Sequence, residues 1–183
     1  MRLFFAINFT SQEKSQILEV QEYLRSQALK GNFTKPENLH LTMVFLGETP
    51  EQKLPQLMNI MEKIHFSQFE INFNHTGCFH RNRTELWWLG ADKHKGLSLL
   101  LDIHKQLLEL LKEAGFNFDT RSFKAHITLG REVKSAFSIN LSCPGIIVKV
   151  DRISLMKSER NDRGLTYTEL GFVKAGASTD NFE

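Results

Sequence analysis

Cysteine is scarce in this sequence of 183 residues, which contains only Cys78 and Cys143. Two cysteines cannot form the disulfide framework that holds many small secreted domains together. Long apolar runs are also missing, since no stretch approaches the roughly 18 consecutive apolar residues of a membrane span. The opening segment, MRLFFAINF, is too short for a secretory signal and is followed by polar residues rather than a cleavage site. We therefore expect a soluble, cytoplasmic protein that has no membrane partner.

A large excess of charge of one sign is absent too, because 23 basic and 21 acidic residues leave a net charge of only +2. Proteins that follow a long nucleic acid usually carry a basic excess, so a nucleic acid end or a small nucleotide is the better-matched partner. The sequence contains no low-complexity linker, no glycine-rich phosphate loop and no nucleophile-elbow motif. At this length we expect one domain, residues 1–183, with a frayed tail from about residue 175.

Strand and helix patterns alternate along the chain. Thr10 and Glu13 resemble a capping box that opens a helix. Thr49 and Pro50 are interpreted as the N-cap and first residue of a second helix. The predicted strands are 2–9, 37–48, 69–79, 84–91, 123–131, 146–158 and 165–173, and the predicted helices run to about residue 29, over about 50–64 and over 96–114. This mixture of hairpins and helices predicts an α+β fold.

The strand at 37–48 carries two polar side chains in an apolar frame. His40 and Thr42 are two residues apart, so in a strand both leave the same face. The same order of His, apolar residue, Thr and apolar residue recurs at His126 and Thr128. Composition predicts roughly 0.07 such patterns by chance, so two are unexpected. A single copy is more often a packed histidine, but the repetition favours a shared functional site.

Two such strands that face each other across a cleft would bring two imidazoles and two hydroxyls together. Imidazole changes its charge near neutral pH, so one histidine can begin neutral as a base and the other protonated as an acid. Threonine hydroxyls can donate hydrogen bonds to oxyanions. This set supplies a base for water, an acid for a leaving oxygen and donors for the other oxygens, so it can catalyse displacement at phosphorus without a metal or cofactor.

These residues resemble a known family, the two-histidine (2H) phosphoesterases, and within it the RNA 2′,3′-cyclic phosphodiesterases historically called 2′-5′ RNA ligases. The similarity extends over nearly the whole chain. The matching segments are RLFFAINF (first strand), ENLHLTMVFLGE (first motif), LWWLG (middle strand), RSFKAHITLGR (second motif) and SLMKSERNDRGLTYTELG (closing hairpin). The resemblance implies a bilobal, LigT-like α+β fold in which two antiparallel sheets flank a central cleft and the helices lie outside.

The resemblance also implies a reaction, the hydrolysis of a 2′,3′-cyclic phosphate at an RNA 3′ end to a 2′-phosphomonoester. His40 would be the proton donor to the departing 3′ oxygen, and His126 would be the proton acceptor from water. Thr42 and Thr128 would hold the phosphate oxygens. The family commonly has proline immediately before the second histidine, where this chain has Ala125. That difference concerns the local backbone and leaves the catalytic side chains in place.

Arg131 ends the second motif, as arginine often does in this family, and a guanidinium can bind phosphate through two hydrogen bonds. Strict alternation points Arg131 away from His126, so phosphate contact requires a kink near Gly130. A surface ion pair is the alternative. Trp87 and Trp88 are adjacent and would face opposite sides of a strand. One of them could stack on a base, but we favour packing for both.

Two other groups of polar residues favour structural roles. Cys78 and His80 share a strand face, but no third residue with zinc-ligand spacing follows, so we expect a structural cysteine. Four residues near the last turn favour a solvated hairpin tip over RNA contact: Lys157, Arg160, Arg163 and Tyr167.

The leading hypothesis is an enzyme that acts on RNA 3′ ends with no cofactor, no metal and no obligate protein partner. A relative that acts on a small cyclic nucleotide, such as a cyclic-phosphate derivative of ADP-ribose, would use the same chemistry. A non-catalytic module that binds RNA ends or nucleotides is the third hypothesis, although binding alone does not require two titrating groups. The physiological substrate, base preference, ligation in the reverse direction and oligomeric state are left open by the sequence.

Overall fold

The computed structural model describes residues 1–81, 83–162 and 164–176, and it shows the expected α+β fold. The strands are β1 (Arg2–Asn8), β2 (Lys30–Phe33), β3 (His40–Glu48), β4 (Phe69–Arg81), β5 (Thr84–Ala91), β6 (His126–Lys134), β7 (Ile146–Val150), β8 (Arg152–Asn161) and β9 (Gly164–Lys174). The helices are α1 (Ser11–Gln27), α2 (Leu54–Glu62) and α3 (Lys95–Glu113), with short 3₁₀ turns at Pro36–Asn38 and Glu51–Lys53. None of the helices in these ranges is long and apolar enough to cross a membrane. Most of the predicted frayed tail, 177–183, lies outside the described residues.

The nine strands form a sheet with two halves, and all neighbouring strands in it are antiparallel. One half has the order β7-β4-β5-β6, with β2 also on β6, and the other has the order β3-β1-β8-β9. A single residue pair, Leu41 with Ile127, joins β3 to β6 and makes the sheet continuous. After Ile127, from Gly130 to Lys134, β6 pairs with β2 and no longer with β3. The two predicted sheets are therefore present as halves that diverge on either side of a central cleft.

The main apolar core combines side chains from both halves of the sheet with the buried faces of all three helices. Its members include Phe5, Ile17, Leu57, Phe73, Leu107 and Val148. A second, smaller apolar cluster lies on the other face of the sheet, at Phe4, Ala6 and Met156, with Phe45 and Tyr167 packed against it. The cleft face therefore has an apolar floor that is separate from the core.

The predicted start of α1 is confirmed by its capping box. The Thr10 hydroxyl accepts a hydrogen bond from the Glu13 amide, and the Glu13 carboxylate accepts one from the Thr10 amide. The predicted start of the second helix is wrong. Thr49 donates its hydroxyl to the Gly47 carbonyl instead of capping, Pro50 is extended, and α2 begins only at Leu54 after a 3₁₀ turn.

The predicted strand at 146–158 is also wrong as a single element. It is divided at Asp151 into β7, which pairs with β4 in one half, and β8, which pairs with β1 in the other. The segment IIVKVDRISLMKS has no glycine or proline to mark a break, and its parts before and after Asp151 both fit a strand pattern, so the sequence does not show where the chain changes its partner strand. This crossing connects the two halves of the sheet near the C-terminal part of the chain.

Candidate active site

The two His-x-Thr motifs lie at the starts of β3 and β6, on the face of the sheet away from the main core. His40, Thr42, His126 and Thr128 are all partly exposed, whereas the apolar residue inside each motif is buried. Leu41 and Ile127, the central residues of the two motifs, form the pair that joins the halves, and the two histidines are close enough for the charge of His126 to contribute to lowering the pKa of His40. The structure therefore brings the four sequence-predicted side chains together where the halves meet.

A β-bulge follows the second motif and redirects Arg131. Thr128 and Gly130 pair with adjacent residues of β5, so Leu129 is an extra residue, and both Leu129 and Gly130 are buried. Beyond a bulge the alternation of side chains is shifted by one position. Arg131 consequently leaves the same face as Thr128, which is the kink near Gly130 that its predicted role required. A second irregularity follows at Glu132, whose φ is 52°.

The first motif has a bulge at the corresponding position. The residues on either side of Met43 pair with adjacent residues of β1, so Met43 is the extra residue of β3. Phe45 therefore faces the cleft five positions after His40. Arg131 does the same five positions after His126. The Arg2 guanidinium lies over the Phe45 ring, 5.0 Å from its centroid. The two motifs are thus related in backbone geometry but differ in the side chains that flank them.

Each histidine is held by a hydrogen bond to the carbonyl two residues before it. His40 Nδ1 lies 2.7 Å from the Asn38 oxygen, and His126 Nδ1 lies 2.6 Å from the Lys124 oxygen. A carbonyl only accepts, so each Nδ1 carries the proton and each Nε2 is the nitrogen left for proton transfer. In the free protein, His40 Nε2 lies 2.8 Å from Thr42 Oγ1.

Two aromatic rings enclose His40. The centroid of its ring lies 5.0 Å from that of Phe4 and 5.1 Å from that of Tyr167. The expectation that Tyr167 belongs to a solvated hairpin tip is therefore wrong, because β9 places it over the cleft floor opposite Ser158 of β8. Arg163, which was grouped with it, lies outside the described residues. No local sequence signal marks Tyr167, since its position depends on the pairing of β9 with β8.

Burial and positive charge lower the pKa of both histidines. Burial is the main cause for His40, whose pKa is lowered to about 4 although the hydrogen bond of its Nδ1 opposes the shift. Burial likewise lowers the pKa of His126. The positive charge of Arg131 lowers the pKa of both imidazoles, and Lys14 lowers that of His40. An electropositive site that disfavours imidazolium is well suited to an anion such as a phosphate group.

The two adjacent tryptophans have different environments. Trp87 is 7% exposed in the main core, and its Nε1 donates a hydrogen bond to a Glu85 carboxylate oxygen at 2.8 Å. Trp88 pairs with Thr128, lies on the cleft face and lines a cavity of about 240 Å³ beside His126. The packing role expected for both residues therefore describes Trp87, whereas Trp88 belongs to the surroundings of the site.

Cys78 and His80 have a third neighbour that sequence spacing does not reveal. Glu85 lies directly across β4–β5 from His80, with its Oε1 3.2 Å from His80 Nδ1, and His80 Nε2 lies 3.6 Å from Cys78 Sγ. The three donor atoms lie within 4.8 Å of one another. They satisfy each other as an ion pair and a thiol–imidazole contact, and we assign no metal to them.

The antiparallel α+β fold and the paired His-x-Thr strands define a two-histidine phosphoesterase. Similarity to known proteins agrees with this class. The sequence profile of the LigT like phosphoesterase family matches residues 7–88, which include His40 and Thr42. The RNA 2′,3′-cyclic phosphodiesterase of Thermotoga maritima is 29% identical over 178 residues, which cover 93% of each chain. That of Thermus thermophilus is 30% identical over 176 residues, which cover 93% of this chain and 88% of the relative.

A solved structure is similar to this fold over nearly the whole chain. The crystal structure of E. coli LigT complexed with 3′-AMP superposes with a TM-score of 0.81 at 25% identity, and the match covers 95% of this chain and 97% of that chain. The chain therefore belongs to the LigT-like phosphoesterase family of the two-histidine superfamily. This membership supports phosphoesterase activity.

Proposed function

We propose that this protein hydrolyses 2′,3′-cyclic phosphates at RNA 3′ ends to 2′-phosphomonoesters by metal-independent acid–base catalysis. The observation that carries the proposal is the matched anchoring of the two imidazoles. Each Nδ1 is bound to a carbonyl two residues upstream, at 2.7 Å for His40 and 2.6 Å for His126, which directs the proton chemistry to the two Nε2 atoms. Two positioned imidazoles at one anion site are what a base and an acid acting on the same phosphate require.

In the proposed reaction, His126 Nε2 accepts a proton from water, and the water oxygen forms a bond to phosphorus. The bond between phosphorus and O3′ breaks, and His40 Nε2 donates a proton to O3′. The products are a 2′-phosphate and a free 3′-hydroxyl. His126 then loses its proton to solvent and His40 gains one, which restores the starting state.

The donor role requires a protonated His40, whereas its pKa in the free protein is about 4. An anionic phosphodiester next to the ring favours the charged form of the imidazole. The same anion offsets the positive charges of Arg131 and Lys14, which lower this pKa. Substrate binding would therefore raise the pKa of His40 and prepare it as the donor.

Thr42, Thr128 and Arg131 are the proposed phosphate-binding groups. In the free protein the Thr42 hydroxyl is engaged with His40 Nε2, so a bound phosphate would take that hydroxyl as a donor to one of its oxygens. The bulge after Thr128 turns Arg131 to the same face. A guanidinium there can donate two hydrogen bonds to the non-bridging oxygens and stabilise their charge in the transition state.

The proposal is tested with an RNA oligonucleotide that ends in a 2′,3′-cyclic phosphate, incubated with the protein in EDTA. The expected product is a 2′-phosphate end, and it should be absent with His126→Ala. His65→Ala, which changes an exposed histidine elsewhere on the surface, should retain full turnover. A 3′-phosphate product would contradict the assigned roles. Turnover that EDTA abolishes and zinc restores would contradict metal-independent catalysis.

Two alternatives are separated by the same assay. A cyclic-phosphate derivative of ADP-ribose would use the same four side chains, so its kcat/KM is compared directly with that of the RNA. A higher value for the small nucleotide would move the assignment to that substrate. A module that only binds RNA ends or nucleotides would show no turnover with either substrate, and the His126→Ala variant would retain its binding.

A further inference from the structure

The cavity of about 240 Å³ beside His126 is lined mainly by aromatic and apolar side chains. The ring centroids of Phe79 and Trp88 are 5.5 Å apart, and each lies 6.5 Å from that of His126. Lys124 Nζ lies 5.2 Å from the centroid of the Phe79 ring. The cavity thus joins two stacking surfaces and a cation to the wall of the candidate active site.

Two glycines make this arrangement of rings possible. A Cβ atom added at Gly77 would overlap the six-membered ring of Trp88, and one added at Gly90 would overlap the rings of His75 and Trp88. Gly77 lies opposite Trp88, and Gly90 lies opposite His75, across the β4–β5 ladder. Any side chain at either position would push an aromatic ring off the sheet, so the backbone is adapted to hold the rings on the cleft face.

Core packing does not explain Trp88. The indole N–H of a buried tryptophan usually has a hydrogen-bond partner, as Trp87 has in Glu85. Trp88 Nε1 is buried and has no partner among the described residues. The ring itself remains partly exposed to the cavity. Trp88 therefore presents an aromatic surface to a space that can hold a ligand.

We propose that Trp88, Phe79 and Lys124 form a nucleobase subsite on the side of the phosphate from which the nucleophile approaches. This inference rests on the proposed function, in which His126 holds the attacking water and O3′ leaves toward His40. In-line displacement puts the ribose that carries the cyclic phosphate on the His40 side. The cavity beside His126 then accepts the base of a second nucleoside, stacked on Trp88, with its 5′-hydroxyl directed to the place of the attacking water.

Binding is measured first, because it does not depend on turnover. In the Trp87→Phe variant, Trp88 is the only tryptophan, so adenosine stacked on it should quench the fluorescence. Ribose, which lacks a base, should cause no quenching. The Trp88→Ala variant should bind adenosine roughly 5- to 150-fold more weakly than the unchanged protein, as measured by calorimetry. Phe172→Ala, which removes an exposed aromatic ring from the other half, should leave it unchanged.

Inhibition kinetics then test the side on which the base binds. Adenosine should lower kcat for the cyclic-phosphate RNA and leave KM nearly unchanged, because it displaces the water and not the substrate. Absence of quenching, or quenching by ribose as well, would overturn the subsite. Competitive inhibition, in which only KM rises, would overturn its assignment to the nucleophile side. If no substrate turns over, the proposed function fails while the fluorescence and calorimetry still decide whether the subsite exists. If Trp88→Ala does not fold, Phe79→Leu takes its place.

Discussion

Leu41 and Ile127 form the single residue pair that joins β3 to β6, and both are buried, at 1% and 0% exposure. Each is the central residue of a His-x-Thr motif, so an approximate two-fold axis between Leu41 and Ile127 relates the two motifs. The bulges after the two motifs, at Met43 and Leu129, follow the same relation. A repeated local structure around one buried pair is therefore the framework on which the two imidazoles are placed.

The side chains around this framework are not symmetric. His40 is enclosed by Phe4 and Tyr167, and its pKa falls to about 4. His126 is flanked by the cavity that contains Trp88, and its pKa is also lowered. Different surroundings for two equivalent imidazoles allow them different tasks on one phosphate.

The proposed donor role of His40 is tested with a leaving group that needs no proton. His40→Ala should lower turnover of the natural oxygen ester by on the order of a hundredfold or more. With a cyclic phosphate in which sulfur replaces O3′, the loss should be much smaller, since a thiolate leaves without protonation. His126→Ala should be impaired equally with both substrates. A His40→Ala defect of the same size for oxygen and sulfur would contradict the donor assignment.

The pH dependence of kcat/KM should be bell-shaped, with its maximum below pH 6.5. This ratio reports the pKa values of the free enzyme, and those of His40 and His126 both lie below 6.5. A pair that must hold one proton is most populated midway between its two pKa values, so lowering both moves the maximum to acidic pH. Initial rates at low substrate concentration between pH 4 and 9 measure it. A maximum at or above neutral pH would contradict the prediction.

Arg131→Gln should have two linked effects if Arg131 binds the phosphate. Loss of a charged hydrogen-bonding partner should raise KM by on the order of tenfold. Loss of its positive charge should raise the pKa of both histidines, so the maximum of kcat/KM should move toward neutral pH. Lys112→Gln removes a charge from the exposed surface of α3 and should do neither. A raised KM with an unmoved pH maximum would place Arg131 away from the imidazoles.

The lowered pKa of His40 also predicts a loss of stability in acid. Below about pH 6.5 the unfolded chain binds a proton at this histidine, while the folded protein does so only near pH 4. The unfolded state is therefore favoured as the pH falls through this window, by on the order of 2–3 kcal/mol. Urea unfolding at pH 7 and pH 4.5 measures the loss, which should be smaller for His40→Asn. An equal loss in both proteins would show that other groups are responsible.

The sequence identified the parts of the fold that depend on local patterns. The capping box at Thr10 and Glu13 marks the start of α1, and the alternation in β4 and β5 marks their hairpin. The repeated His-x-Thr pattern located the imidazoles and hydroxyls because strand alternation needs only residue spacing.

The bulges could not be predicted in the same way. Met43 and Leu129 are apolar and suit any buried strand position, so nothing in their identity marks them as extra residues. They nevertheless decide that Phe45 and Arg131 face the cleft. The positions of Tyr167 and Glu85 depend likewise on pairing between strands, which a single sequence does not specify.

Ala125, which stands where the resemblance to the family leads one to expect proline, gives a final prediction. Its carbonyl accepts a hydrogen bond from the Ala91 amide at 3.3 Å, and its own amide donates none of the backbone hydrogen bonds of the described residues. Ala125→Pro should therefore stabilise the protein by about 0.4–1 kcal/mol, because proline restricts the unfolded chain. Thermal unfolding at neutral pH measures the change.

The matched control for this substitution is Ala28→Pro. The Ala28 amide donates to the Arg25 carbonyl at 3.2 Å, so proline there removes a hydrogen bond and should lower the melting temperature. If Ala125→Pro also lowers it, the backbone before His126 is incompatible with the proline ring, and the second motif is held differently from that of its relatives. If it raises the melting temperature and leaves turnover unchanged, alanine and proline support the same geometry at His126.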